Sequence, residues 1–143
     1  MTDLDAQTAA AKLWLQNYHL LGDQLNPDIA VPPFYAPDCE FRFPGRPLIK
    51  GQEAIINFFK QQSTVLESMK HTIGHFDVLP DRIYQEASIE YVLKADPEKK
   101  VIHVNGIAIF GKRVNEDQMR FFTVYLDPSP IAERLKEVSG GVN

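Results

Sequence analysis

His71 and Tyr18 are the side chains in this sequence best suited to proton chemistry. An imidazole titrates near neutrality, so His71 can act as general base or acid without a large perturbation of its pKa. A phenol such as Tyr18 can hold a ligand carbonyl oxygen while enolate charge develops on it. Both also have plainer readings. His71 would equally suit a strand end, bonded to backbone or solvent, and Tyr18 would equally pack against Trp14 with its hydroxyl bonded internally. His75, four residues on, falls on the same side of a strand as His71, but about 13 Å away, too far to share a metal. His103 is a third imidazole, yet no HxH, HExxH or CxxC pattern supports zinc, so no metal is expected. Asp127 sits in Asp-Pro-Ser-Pro, where a carboxylate is better placed to cap free N–H groups than to catalyse. Nothing beside Cys39 marks an activated nucleophile. Gly45, Gly51 and Gly111 are isolated, without a phosphate loop or a Gly-x-Ser-x-Gly elbow, so no cofactor is expected.

The elements that must carry these groups follow from hydrophobic periodicity. A first helix is predicted from Asp3 or Asp5 to Leu21, with Thr2, Asp3 and Asp5 at its start and Gly22 as its stop. Ala10, Leu13, Trp14, Tyr18 and Leu21 share its apolar stripe. The next stretch, Asn26 to Pro37, holds four of the ten prolines, which allows at most a short, broken helix and loop. Cys39 to Phe43 reads as a strand with Cys39, Phe41 and Phe43 on one side and Glu40 and Arg42 on the other, so Arg42 belongs to a surface ion pair. Pro44-Gly45-Arg46-Pro47 turns the chain into a second helix, Gln52 to about Leu66, with Ile55, Phe58, Phe59, Gln62 and Leu66 on one face. Four strands follow, near Lys70–Leu79, Ile83–Ala95, Val101–Lys112 and Met119–Asp127, separated by turn residues. Ile131 to Val138 forms a terminal helix, stopped by Gly140-Gly141.

Composition bounds the function classes. At 143 residues, with 44% hydrophobic and 24% charged residues, the chain suits one soluble domain with a substantial core. A net charge of −4 lacks the footprint of a nucleic-acid binder. No apolar run reaches membrane-span length, and the acidic N-terminus does not resemble a signal peptide. A single cysteine fits a reducing compartment, so a cytoplasmic location is expected.

This order of helix, broken helix, strand, helix and meander resembles the nuclear transport factor 2-like superfamily, and within it the SnoaL-like polyketide cyclase and ketosteroid isomerase branch. The resemblance rests on the Trp14–Tyr18 helix, on Phe34 to Gly45 with Gly51-Gln52-Glu53-Ala54-Ile55, and on Tyr125-Leu126-Asp127-Pro128. It implies a single α+β domain over residues 1–143: a cone in which a curved antiparallel sheet wraps N-terminal helices (a cystatin-like fold). It also implies a pocket at the wide end and a homodimer joined through the outer sheet face. Trp14, Phe43, Phe58, Ile73, Tyr91, Phe110 and Tyr125 would then wall a pocket for a small apolar or aromatic molecule. The alternative is that these side chains fill the core completely. By the resemblance Tyr18 matches the substrate-binding tyrosine of ketosteroid isomerases, while their two acids fall on Phe43 and near Gly106. His71-Thr72-Ile73-Gly74 is similar to the catalytic His-x-Ile-Gly segment of scytalone dehydratases, in which the acid after the tyrosine corresponds to His19.

Two functions follow. One is cofactor-free acid/base chemistry of isomerase, cyclase or dehydratase type on a ring compound, with His71 moving the proton and Tyr18 holding the oxygen. The other is a non-catalytic ligand-binding or protein-interaction domain. A carboxylate beside His71 would favour the first. Asp127, Glu86 and Glu90 are the candidates, although strand alternation puts both glutamates on the side opposite Ala87, Ile89 and Tyr91.

Overall fold

The computed structural model describes residues 2–140. Helix α1 spans Asp3–Gly22 and opens with a capping box, in which Thr2 Oγ1 accepts the Asp5 N–H and Asp5 Oδ2 accepts the Thr2 N–H. Its buried stripe is Ala11, Trp14, Leu15 and His19, with Tyr18 half-buried beside them. The stripe expected from apolar residues alone is therefore rotated: Ala10 and Leu13 are exposed, and a histidine takes an inward position. The helix ends where the Asp23 N–H bonds the His19 carbonyl at 2.8 Å.

Helix α2, Pro27–Phe34, is continuous through Pro32 and Pro33 rather than broken. Pro27 occupies the first turn, where its missing N–H costs nothing. Strand β1, Tyr35–Arg42, starts earlier than expected and pairs with the short β2, Ile49–Lys50. Gly51, at φ 91°, turns the chain into α3, Gln52–Ser63, which buries Ile55 and Phe58. Leu66 lies beyond α3 as the first residue of β3.

Strands β3 (Leu66–Leu79), β4 (Arg82–Leu93), β5 (Ile102–Phe110) and β6 (Met119–Leu126) form the meander. The sheet order is β2-β1-β6-β5-β4-β3, antiparallel except where β1 runs parallel to β6. This is the α+β cone, with the helices held inside a curved sheet. Irregularities in β3, one between Leu66 and Ser68 and one between Ile73 and Phe76, add the bend and twist that such curvature requires. The second also corrects the expected alternation: His75 does not share the inward side with His71 but is exposed, 3.1 Å from Asp77.

Two apolar clusters result. One joins α1, α2 and α3 to β1, β4, β5 and β6. The smaller one, around Leu66, Ile89, Tyr91 and Leu93, is covered by helix α4, Ser129–Val138, through Ile131 and Leu135. Of the expected Gly140-Gly141 stop, Gly140 has φ 95° and Gly141 lies outside the described residues. No helix among the described residues is long and apolar enough to cross a membrane.

A bidentate ion pair ties α4 to the β4–β5 turn. Arg134 Nε and Nη2 donate to Asp96 at 2.8 and 2.9 Å, and Asp96 also accepts the N–H groups of Glu98 and Lys100. The Arg134 guanidinium holds the Asp96 carboxyl well below the usual range. Breaking a buried pair leaves an uncompensated charge, whereas an exposed pair is worth little. Arg134→Met is therefore expected to lower the thermal midpoint clearly, while Arg42→Met, which removes only the exposed pair with Glu40, leaves it nearly unchanged. Differential scanning calorimetry of the two variants checks this.

Candidate functional site

A cavity of about 210 Å³ lies between the helices and the concave sheet face. Phe41, Phe43, Phe58 and Phe59 line one part, Phe110 and Phe122 another, and Ile89, Tyr91 and Ile131 a third. Tyr18, Tyr35, His19, Asp23 and His71 supply polar groups to the same wall.

Of the residues expected to wall a pocket, Phe43, Phe58, Tyr91 and Phe110 do so; Trp14, Ile73 and Tyr125 do not. Trp14 is buried behind the wall, stacked on Tyr18 at 5.5 Å, and its Nε1–H donates to the Asp117 carbonyl at 2.7 Å. Ile73 packs against the main core just before the second β3 irregularity. Tyr125 is 52% exposed because Phe122, Val124 and Leu126 are the β6 residues that reach the cavity, which turns Tyr125 to the outer face.

His71 has a carboxylate beside it, and it is none of the three anticipated. Asp23, just past the end of α1, accepts the His71 Nδ1–H at 2.6 Å with one oxygen and the His71 backbone N–H at 2.9 Å with the other. Both side chains are 18% exposed. Bonding at Nδ1 fixes the tautomer and leaves Nε2 as the nitrogen able to take a proton, while the carboxylate stabilises the imidazolium that forms. Glu86 and Glu90 are exposed, as alternation required. Asp127 lies one residue before Pro128, the N-cap of α4, and accepts the Ser129 N–H at 3.0 Å and its hydroxyl at 2.8 Å in a local turn at the helix entry.

Beside His71 lies His19, its ring stacked on the His71 ring at 4.6 Å and 21°. The His19 Nε2–H donates to Gln85 Oε1 at 2.8 Å. Burial, and then the neighbouring His71, lower the His19 pKa to about 4. Further along the wall the hydroxyls of Tyr18 and Tyr35 share one hydrogen bond at 2.5 Å. Burial raises both phenols, so both remain protonated at neutral pH. Two phenol protons and one mutual bond leave a second O–H to donate to a ligand oxygen. Burial likewise pushes the Tyr91 phenol and the Cys39 thiol up to about 12, so Cys39 offers no thiolate.

Phe43 and Gly106, where the resemblance places the isomerase acids, both line the cavity without supplying a carboxylate. At 106 the reason is steric, since a Cβ there would lie 2.9 Å from the Tyr125 carbonyl oxygen and 3.0 Å from Leu126 Cβ. Sequence reasoning missed Asp23, His19, Tyr35 and Gln85 as site residues. Asp23 meets His71 across forty-eight residues of chain, which no local spacing reveals. Gln85 did leave a trace, as a fully buried polar residue at an inward position of an apolar alternation.

A curved sheet around helices, with a polar-spotted aromatic cavity between, defines a nuclear transport factor 2-like cone protein. The chain belongs to the SnoaL-like domain family, whose profile matches residues 24–119. None of the curated proteins compared with it matches. Among solved structures it is similar to the BvnE pinacolase of Penicillium brevicompactum, at 10% identity and a TM-score of 0.74, over 99% of this chain and 97% of that one. A protein assigned as a SnoaL-like polyketide cyclase from Jannaschia sp. CCS1 aligns at 13% identity and 0.70, over 98% and 96% of the two chains. TerC, co-crystallized with polyporic acid, aligns at 15% and 0.67, over 84% and 93%.

Burial of His19 makes stability depend on pH. Between its unfolded value of 6.5 and its folded value of about 4, the unfolded chain binds a proton that the folded chain does not. The stabilisation is whole above pH 6.5 and lost toward pH 4, by about 3 kcal/mol. Urea unfolding across this range should show that decline in the wild type and lack this component in His19→Phe.

Proposed function

We propose that this SnoaL-like domain binds a small apolar or aromatic ring compound in its cavity and performs cofactor-free acid/base chemistry on it. The reaction is of isomerase, cyclase or dehydratase type. His71 moves the proton and Tyr18 holds the oxygen. The observation that carries this reading is the two-point grip of Asp23 on His71, because it supplies the carboxylate partner that separates a working base from a solvated strand histidine.

The steps follow from the groups at the wall. A ring ketone enters with its carbonyl oxygen accepting a hydrogen bond from the phenol pair. His71 Nε2 removes the proton on the carbon beside the carbonyl. The electron pair of that C–H bond forms the enol double bond, and the carbonyl π electrons move onto the oxygen held by Tyr18. Asp23 stabilises the imidazolium. Where the ring carries a double bond two carbons away, return of the proton from His71 to the far carbon of the extended enolate moves that bond and gives an isomer. Attack of the enolate carbon on a second carbonyl closes a ring, the new alkoxide taking the proton from His71. Expulsion of a hydroxyl on the carbon next to the enolate, protonated by His71 as it leaves as water, gives a dehydration. The apolar walls exclude water, which strengthens each of these interactions.

The test uses 2-tetralone, a neutral bicyclic ketone, in D2O, with exchange of its α-protons followed by NMR. The wild type is expected to accelerate exchange above the buffer rate. His71→Ala, with its fold unchanged by circular dichroism, should lose on the order of a hundredfold or more. Saturable binding without accelerated exchange would favour a binding domain, and unaltered exchange in His71→Ala would remove the mechanism.

The same reading includes a homodimer joined through the outer sheet face, where Tyr125 is 52% exposed. Sedimentation velocity should find a dimer for the wild type and a shift toward monomer for Tyr125→Lys.

A further inference from the structure

His19 has no task in the proton transfer described above, yet its surroundings are more closely specified than packing alone requires. It projects from the last turn of α1 onto the buried face and is 7% exposed. Gln85, fully buried on β4, accepts its Nε2–H at 2.8 Å. One face of the ring lies against His71 at 4.6 Å, 21° from parallel. The Tyr18 ring meets it edge-on at 5.1 Å and 78°. Its own carbonyl accepts the Asp23 N–H at 2.8 Å, so one turn of helix carries both the ring that covers His71 and the carboxylate that bonds it.

We propose that His19 is a positioning residue, a neutral spacer clamped by Gln85 that sets the plane of the His71 ring and its distance from Tyr18. This rests on the acid/base reading of His71. A carboxylate bond at Nδ1 alone leaves an imidazole free to rock about that bond. A flat ring packed against one face removes this freedom and keeps Nε2 directed at one point in the cavity. The spacer must also stay uncharged, because an imidazolium stacked on His71 would oppose the charge that His71 acquires as it takes a proton. The titratable groups facing His19 are Tyr18 on its own helix, Asp23 at that helix's end and His71 on β3. Gln85 on β4 and Phe110 on β5 also face the ring and carry no charge. Burial keeps His19 neutral above about pH 4. Phenylalanine would supply the flat face but would orphan the buried Gln85 carbonyl oxygen.

The test reads the His71 ring directly by 15N NMR and needs no substrate. His19→Phe with Gln85→Met keeps a flat face and leaves no unpaired amide. His19→Leu with Gln85→Met fills similar space without a flat face, and retains an apolar core if packing is all that matters. The wild type is expected to hold His71 as one tautomer, protonated at Nδ1 when neutral, and the Phe/Met variant to keep that tautomer and its titration midpoint. The Leu/Met variant should show averaged Nδ1 and Nε2 shifts and a midpoint moved by about half a pH unit or more. A Leu/Met variant with the wild-type tautomer and midpoint would overturn the proposal, as would a Phe/Met variant that loses them. With 2-tetralone, the Leu/Met change should lower the exchange rate constant at saturation about tenfold or more while leaving half-saturation nearly unchanged. If His71→Ala leaves exchange unaltered, the acid/base reading fails, while the ring measurement still decides whether His19 orders His71.

Discussion

The joint between Asp23 and His71 is the constraint on which the geometry of the cavity depends. Strand β3 lies at the edge of the sheet, so its outward N–H groups have no neighbouring strand to receive them. Asp23 takes one of these groups and the imidazole of the same residue together. The contact therefore does two things: it seals part of a sheet edge, and it docks the end of α1 on the strand at a fixed point. Charge-assisted bonds of this kind are about twice as strong as neutral ones, and here the two share one rigid carboxylate. Since Tyr18 and His19 lie on the turns just before Asp23, fixing that residue also fixes the height at which both reach the wall.

The polar groups of the wall are neutral wherever they are deeply buried. Tyr18 and Tyr35 keep their protons and His19 keeps none beyond its single N–H. Among the described side chains that line the cavity Asp23 is the one carboxylate, and it lies beside His71, with both side chains partly exposed. An apolar chamber can tolerate such groups because each finds a partner: phenol with phenol, imidazole with amide, imidazole with carboxylate. The deep part of the chamber therefore combines hydrogen-bonding groups with the absence of fixed charge.

Much of this architecture was legible in the sequence, and the remainder was hidden for definite reasons. The strands of the meander could be read from alternation and turn residues, and the helices from their apolar periodicity. The α1 stripe was misplaced by one residue because His19 counts as polar in any hydropathy pattern, although it is buried by stacking and one hydrogen bond. Helix α2 was underestimated because two adjacent prolines outweigh other signals locally, while α1 and α3 both pack against it in the folded chain. The cavity wall was partly legible, since Phe43, Phe58, Tyr91 and Phe110 follow from the cone, whereas Tyr125 required the register of β6. Asp23 was invisible as the partner of His71, since a carboxylate after Gly22 reads as the end of a helix. Only the fold brings it to His71.

The parallel pairing of β1 with β6 has a consequence for the birth of the protein. The chain leaves the ribosome N-terminus first, at about 5–20 residues per second. Helices α1, α2 and α3 and strand β1 emerge early, but Phe41 meets Phe122 only after β6 has been made. For some seconds the aromatic face of β1 has no sheet to lie on. Such exposure is a hazard of topologies rich in distant contacts. The short β2, which pairs with β1 immediately, and α3, which packs against it directly afterwards, give that strand a provisional shelter while the rest of the sheet is still being synthesised.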